Sequence, residues 1–74
     1  MVIQVTIRTT ADTVSVYVNA GETIESAAQK ANFQMDYSVY VPYINGERKS
    51  PSDVLTQAHD KTTIVFQKNV TGNR

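Results

Sequence analysis

The side chains that could do chemistry in this chain are few and scattered. His59 is the single histidine. It adjoins Asp60, and together they are the residue types of a general base and the carboxylate that orients it. Neighbours in sequence seldom face each other, however, and a chain without cysteine has no thiol for such a base to activate. His59 reads as an exposed loop residue. A metal site would have to recruit Asp53 and Asp60 around it, but the spacing matches no ligand signature. Asp12, Glu22, Glu25, Asp36 and Glu47 fall in turns and at a helix start, where capping and solubility account for them. Ala20-Gly21 is a lone turn glycine and not a phosphate-cradling loop. The expectation is a chain that is not an enzyme and needs neither cofactor nor metal.

Residues suited to contact are better represented. Four tyrosines and no tryptophan occur in 74 residues. A tyrosine ring offers apolar area and its hydroxyl a hydrogen bond, which favours it at interfaces. Arg8, Arg48 and Lys68 accompany these aromatics, a combination that can stack single-stranded bases. Seven basic residues balance seven acidic ones, though, and phosphate binding usually demands a basic excess. A protein partner is therefore expected, and nucleic acid is not.

The elements that must hold these residues follow from two periodicities. From Val2 to Thr9 the chain alternates, with Ile3, Val5 and Ile7 on one side and Gln4, Thr6 and Arg8 on the other. After Thr10-Ala11-Asp12 the alternation resumes, with Val14, Val16 and Val18 against Ser15, Tyr17 and Asn19. Two such strands joined by a short break make a hairpin. Thr23 is placed to cap a helix, in which Ile24, Ala27, Ala28 and Ala31 form an apolar stripe. Phe33 is placed to plug the end of the core. A third strand is expected over Ser38–Ile44, with Val39, Val41 and Tyr43 inward and Tyr40, Pro42 and Ile44 outward. Pro42 puts that strand at a sheet edge or bulge. Asn45-Gly46 is a tight-turn signal. Residues 47–61 read as an irregular segment anchored by Val54 and Leu55. Thr62–Lys68 closes the domain, with Ile64 and Phe66 inward and Val65 outward. Residues 1–68 are expected to form one domain and residues 69–74 a flexible tail. The candidate partner-binding residues are the outward Tyr17, Tyr40, Ile44 and Val65.

A chain of this length buries only roughly 60–65% of the surface that it exposes when unfolded, which leaves little room for a deep cavity beside a core. At 41% hydrophobic and 19% charged it has the composition of a globular domain. No run approaches the ~20 apolar residues of a membrane span. The opening residues enter a strand pattern directly, without a basic region or cleavage site, so a cytoplasmic location is expected. Both sheet edges are open to pairing, which suggests a monomer or a weak dimer.

The pattern Val18-Asn19-Ala20-Gly21-Glu22-Thr23-Ile24, then Ala27-Ala28, Val41 to Ile44-Asn45-Gly46-Glu47, and Asp60 to Phe66 resembles the β-grasp, or ubiquitin-like, proteins. It is similar above all to the sulfur carriers of thiamine and molybdopterin biosynthesis and to the RNA-associated TGS domain. The resemblance spans roughly residues 2–68 and rests on turn and cap signals. It implies an α+β fold of ββαββ order, with a mixed four-stranded sheet in spatial order 2-1-4-3 packed on one helix. Tyr17 and Tyr40 would then lie on opposite edge strands, about 14 Å apart, with Val65 between them on an open sheet face. Ubiquitin-like modules commonly engage partners there, which implies a small interaction module, regulator or inhibitor. Sulfur carriers and ubiquitin-like modifiers end in Gly-Gly. Here the corresponding residues are Val70-Thr71-Gly72-Asn73-Arg74, so a carrier role would require processing at Gly72 and a threonine in the penultimate place. A TGS-like, RNA-associated module is the remaining alternative.

Overall fold

The alternation of the first nineteen residues produces β1 (Val2–Arg8) and β2 (Thr13–Asn19), paired antiparallel with Val5 opposite Val16. The computed structural model describes residues 1–68 of the chain. Thr9 shapes the hairpin turn: its hydroxyl oxygen accepts from the backbone N–H groups of Ala11 and Asp12, both at 3.1 Å. The helix α1 (Ile24–Lys30) begins where the cap signal puts it, with Thr23 Oγ1 accepting from Ser26 N at 3.1 Å. Its stripe of Ile24, Ala27, Ala28 and Ala31 is buried against Ile3, Val5, Ile7, Val18, Ile64 and Phe66. The small alanine side chains let the helix lie close on the sheet. Val14, Val16 and Phe33 are only half-buried at the margin of this core.

Three further strands complete the sheet: β3 (Tyr40–Ile44), β4 (Glu47–Arg48) and β5 (Thr62–Lys68). The order is β2-β1-β5-β3-β4. It preserves the expected succession of the four long strands, with β1 and β5 parallel and every other pair antiparallel. Among the described residues the expected count of four is corrected to five. Asn45 and Gly46 both take positive φ, 54° and 81°, the backbone of a two-residue hairpin turn. That turn folds Glu47-Arg48 back to pair with Ile44 and Tyr43.

The third strand runs in the opposite register to the one expected. Residues 37–39 form a turn in which Val39 N and Tyr40 N both donate to Asp36 O at 2.9 Å, so the strand starts at Tyr40. Antiparallel pairing sets Pro42 opposite Phe66 and Ile44 opposite Ile64. Because Phe66 and Ile64 are core residues, Pro42 and Ile44 follow them inward, and Val41 and Tyr43 take the other face, where Val41 is nonetheless buried as expected and Tyr43 half-buried. Val39 falls in the turn, half-buried and outside the core. Pro42 costs the sheet no β3–β5 bond. Its carbonyl accepts from Lys49 N at 2.8 Å, and a strand residue aims N and C=O to one side, so its missing donor faces away from β5.

Residues 49–56 are tied to the helix start through backbone. Gly21 N donates to Leu55 O and Leu55 N to Glu22 O, both at 2.7 Å, while Ile24 N and Glu25 N donate to Asp53 O and Pro51 O. The helix thus satisfies amide donors that have no partner within its own first turn. Leu55 is fully buried, but Val54, expected as a second anchor, is 52% exposed. Its place is fixed by a backbone bridge to Thr23 and not by packing.

Candidate functional site

The sheet has one face on the helix and one open face, and the register determines which side chains share the latter. Reading across all five strands, Thr13, Arg8, Val65, Tyr43 and Arg48 stand in one row. In the next row Ser15, Thr6 and Thr63 stand side by side, with a hydroxyl–hydroxyl hydrogen bond of 2.9 Å between Thr6 and Ser15. The first row is the chemically distinct one. It places the half-buried Tyr43 and Val65 between two guanidinium groups, and neither Arg8 nor Arg48 forms an ion pair among the described residues. Asn45, Gly46, Thr63 and Gln67 join Arg8, Tyr43 and Val65 around a shallow hollow. No carboxylate stands in this row.

Of the four residues expected to bind a partner, the structure brings only Tyr17 and Val65 to the open face. Tyr17 is 68% exposed and pairs with Gln4. It stands on β2, three strand spacings from Tyr43, and is displaced four residues along β1 from the Arg8 row. Tyr17 and the row are therefore separate features. Ile44 is buried on the helix side, 4% exposed, and Tyr40 packs half-buried against the core. Both are corrected to core-facing positions, because the register that buries Ile64 and Phe66 carries them inward. Tyr43, assigned inward from the sequence, takes their place on the open face.

The polar residues first weighed for chemistry have structural partners. His59 Nδ1 accepts from Thr56 N at 2.9 Å and closes the capping box of a 3-10 turn, Gln57–His59, which leaves the ring proton on Nε2. Asp60 Oδ1 accepts from Gln4 N at 2.9 Å and so bonds to β1, not to His59. Among the described residues no group of three or more His, Asp or Glu side chains is arranged to hold a metal ion. Glu22 accepts from Ser26 Oγ at 2.6 Å, from Asn19 N at 2.8 Å and from Lys30 Nζ at 2.9 Å. The Ser26 hydroxyl first, then the Asn19 amide and the Lys30 ammonium, lower its pKa from 4.5 to about 2.

Tyr37 carried no signal in the sequence. Its ring lies 6.1 Å from that of Phe66, tilted by 54°. Its hydroxyl is buried without a hydrogen-bond partner among the described residues. Burial, and secondarily the charge of Glu25, raises its pKa. Gly72 and the other tail residues lie outside the described residues.

No protein-family profile and no curated protein sequence matches the chain. Solved structures do. A designed protein based on ubiquitin superposes with a TM-score of 0.69 at 20% identity, covering 99% of this chain and 95% of the other. The ubiquitin-like domain of an Arabidopsis thaliana protein superposes at 0.70 and 17% identity, covering 99% and 83%. A structure of ATBAG1 in complex with HSP70 superposes at 0.69 and 11% identity, covering 93% of this chain and 41% of that one. The fold is the ubiquitin-like β-grasp: one helix on a mixed sheet of five strands. Among the described residues no helix is long and apolar enough to cross a membrane.

Proposed function

We propose that this chain is a non-enzymatic protein-contact module of the cytoplasm, a small regulator or inhibitor that acts by covering a partner's surface with its open sheet face. One observation carries the reading: Tyr43 and Val65 stand between Arg8 and Arg48 on the face that the helix leaves uncovered. Aromatic and arginine side chains are the types that dominate binding energy at protein interfaces. The matching surface on the partner is apolar at its centre and acidic at its rim, so that the two guanidinium groups meet carboxylates while the Tyr43 ring and Val65 are desolvated. The ATBAG1 structure supplies an instance of a chain sharing this fold in complex with a protein.

Affinity capture from the native cytoplasm with mass-spectrometric identification tests the proposal. Proteins retained by the wild type should be lost with Tyr43→Ser/Val65→Ser and kept with Lys61→Ser, while circular dichroism shows all three chains folded. Retention should weaken only modestly with salt, since apolar burial supplies the centre of the contact. Capture of the same proteins by the double variant refutes the role of this face. A steep fall with salt and retention of RNA would instead assign the face to single-stranded nucleic acid.

A further inference from the structure

We propose that two copies of this chain pair edge to edge through β2, antiparallel, about a two-fold axis at Val16, to form one continuous ten-stranded sheet.

The backbone of β2 sets the terms. Ala20 N donates to Met1 O and Thr9 N to Asp12 O, each at 2.8 Å, which fixes the phase of the β1–β2 ladder. Even-numbered β2 residues turn N–H and C=O toward β1, and odd-numbered ones turn them out to the free edge. Both ends of that edge are closed. Thr13 N donates to Asp12 Oδ1 at 2.8 Å, Asn19 N donates to Glu22 Oε2 at 2.8 Å, and Asn19 O accepts from Glu22 N at 3.0 Å. Among the described residues, what remains open between the two caps is the N–H and C=O of Ser15, the N–H and C=O of Tyr17, and the carbonyl of Thr13.

These free groups complement themselves. With Ser15 of one copy opposite Tyr17 of the other, both residues of each copy find a donor and an acceptor, giving four backbone hydrogen bonds; beyond them the capped Thr13 and Asn19 of opposite copies face each other, and the two strands diverge there to keep the caps. Shifting the register by two residues in either direction brings Thr13 or Asn19, whose donors are already engaged, into the ladder. The strand itself, Thr13–Asn19, contains no Lys, Arg, Asp, Glu or Pro, the usual devices that protect an edge; the charges at this edge are the capping carboxylates of Asp12 and Glu22 at its two ends, the latter paired with Lys30. The opposite side of the sheet has them: Glu47 and Arg48 on β4, Lys49 beside it, and Pro42 on β3. On the helix side the pairing sets Val16 against Val16 and Val14 against Val18 of the other copy. Val14 and Val16 are half-buried in the single copy, and the core strip would continue across the junction. A second copy fits this edge as its own mirror in hydrogen bonding, which a strand of arbitrary sequence and register does not.

Sedimentation equilibrium of the full chain, up to about 1 mM for a weak association, should show a monomer–dimer equilibrium. Ser15→Pro removes one outward donor and leaves the β1 ladder whole, since an edge strand tolerates proline where its N–H faces solvent. It should be monomeric. Ser15→Ala, which loses the hydroxyl bonded to Thr6 but keeps the N–H, should dimerise like the wild type. The register is tested separately: in a chain with no cysteine, Val16→Cys places two thiols across a non-hydrogen-bonded pair, at about 4.5 Å between Cα atoms, within disulfide reach. It should oxidise to a covalent dimer far faster than Thr13→Cys, whose thiols would sit at opposite ends of the junction. A wild type that stays monomeric throughout, a Ser15→Pro chain that still dimerises, or equal cross-linking of the two cysteine variants would each overturn the proposal.

Discussion

Ile44 and its neighbour Tyr43 decide which face of β3 belongs to the core, and one pair of substitutions reads that decision. Ile44 is 4% exposed and lies opposite Ile64. Truncating it to alanine forfeits about 2.4 kcal/mol of apolar transfer, at about 0.8 kcal/mol for each methylene equivalent. The cavity that remains between β3 and the helix raises the cost to about 3–4 kcal/mol. A chain of this size has a total stability of only about 4–11 kcal/mol, and each kcal/mol moves its Tm by about 7 °C. Ile44→Ala is therefore expected to melt 20 °C or more below the wild type, on the order of half the stability lost. Tyr43→Ala, on the open and half-buried side, should cost less than about 1 kcal/mol. Thermal unfolding followed by circular dichroism, with both variants in the same buffer, gives the comparison. A larger loss for Tyr43→Ala than for Ile44→Ala would refute the register and with it the Arg8–Val65–Tyr43–Arg48 row.

Two further outcomes follow from single polar groups. Glu22 titrates at about 2 in the folded chain against an ordinary 4.5, so its stabilisation is complete above about pH 4.5 and is lost as the pH falls toward 2; Glu22→Gln should lower the Tm at pH 7 and flatten its decline across that window, and parallel Tm–pH curves would contradict the assignment. Tyr37→Phe deletes a buried hydroxyl with no hydrogen-bond partner among the described residues, so its Tm should hold or rise, by up to about 1 kcal/mol of stability; a fall of several degrees would show that the hydroxyl is satisfied after all.

Much of the fold is legible in the sequence because local and long-range preferences agree there. In β1 and β2 a single register buries Ile3, Val5, Ile7 and Val18, and the alternative would bury Arg8 and Asn19. At the helix, Thr23 and the alanine stripe agree on both start and face. The third strand offers no such agreement. Val39, Val41 and Tyr43 form as apolar a set as Tyr40, Pro42 and Ile44, and the charged Glu47 across the Asn45-Gly46 turn from Ile44 suggests the outward face for both. Only the pairing with β5 breaks the tie, and that pairing joins residues twenty or more apart. The candidate site inherits the same ambiguity. Val65 and Tyr17 sit in strands whose register is unequivocal and reach the open face, whereas Tyr40 and Ile44 sit in the ambiguous strand and do not. Arg8 and Arg48 were visible as basic residues, but nothing local sets them on either side of Tyr43. Tyr37 stood in a stretch without periodicity, and no local pattern marks a residue that packs on Phe66.

The place of β5 has a consequence for how the chain is made. It is the last of the described strands in sequence, yet it lies at the centre of the sheet, parallel to β1 and antiparallel to β3. During synthesis at roughly 5–20 residues per second, the hairpin and helix leave the ribosome with Ile3, Val5 and Ile7 lacking the neighbours that cover them. β3 emerges with nothing to pair against except its own two-residue hairpin. The core can close only once Ile64 and Phe66 are free of the exit tunnel and able to lie between β1 and β3. For those seconds the nascent chain displays an incomplete sheet, and a stall before Thr62 would leave it in the hands of chaperones.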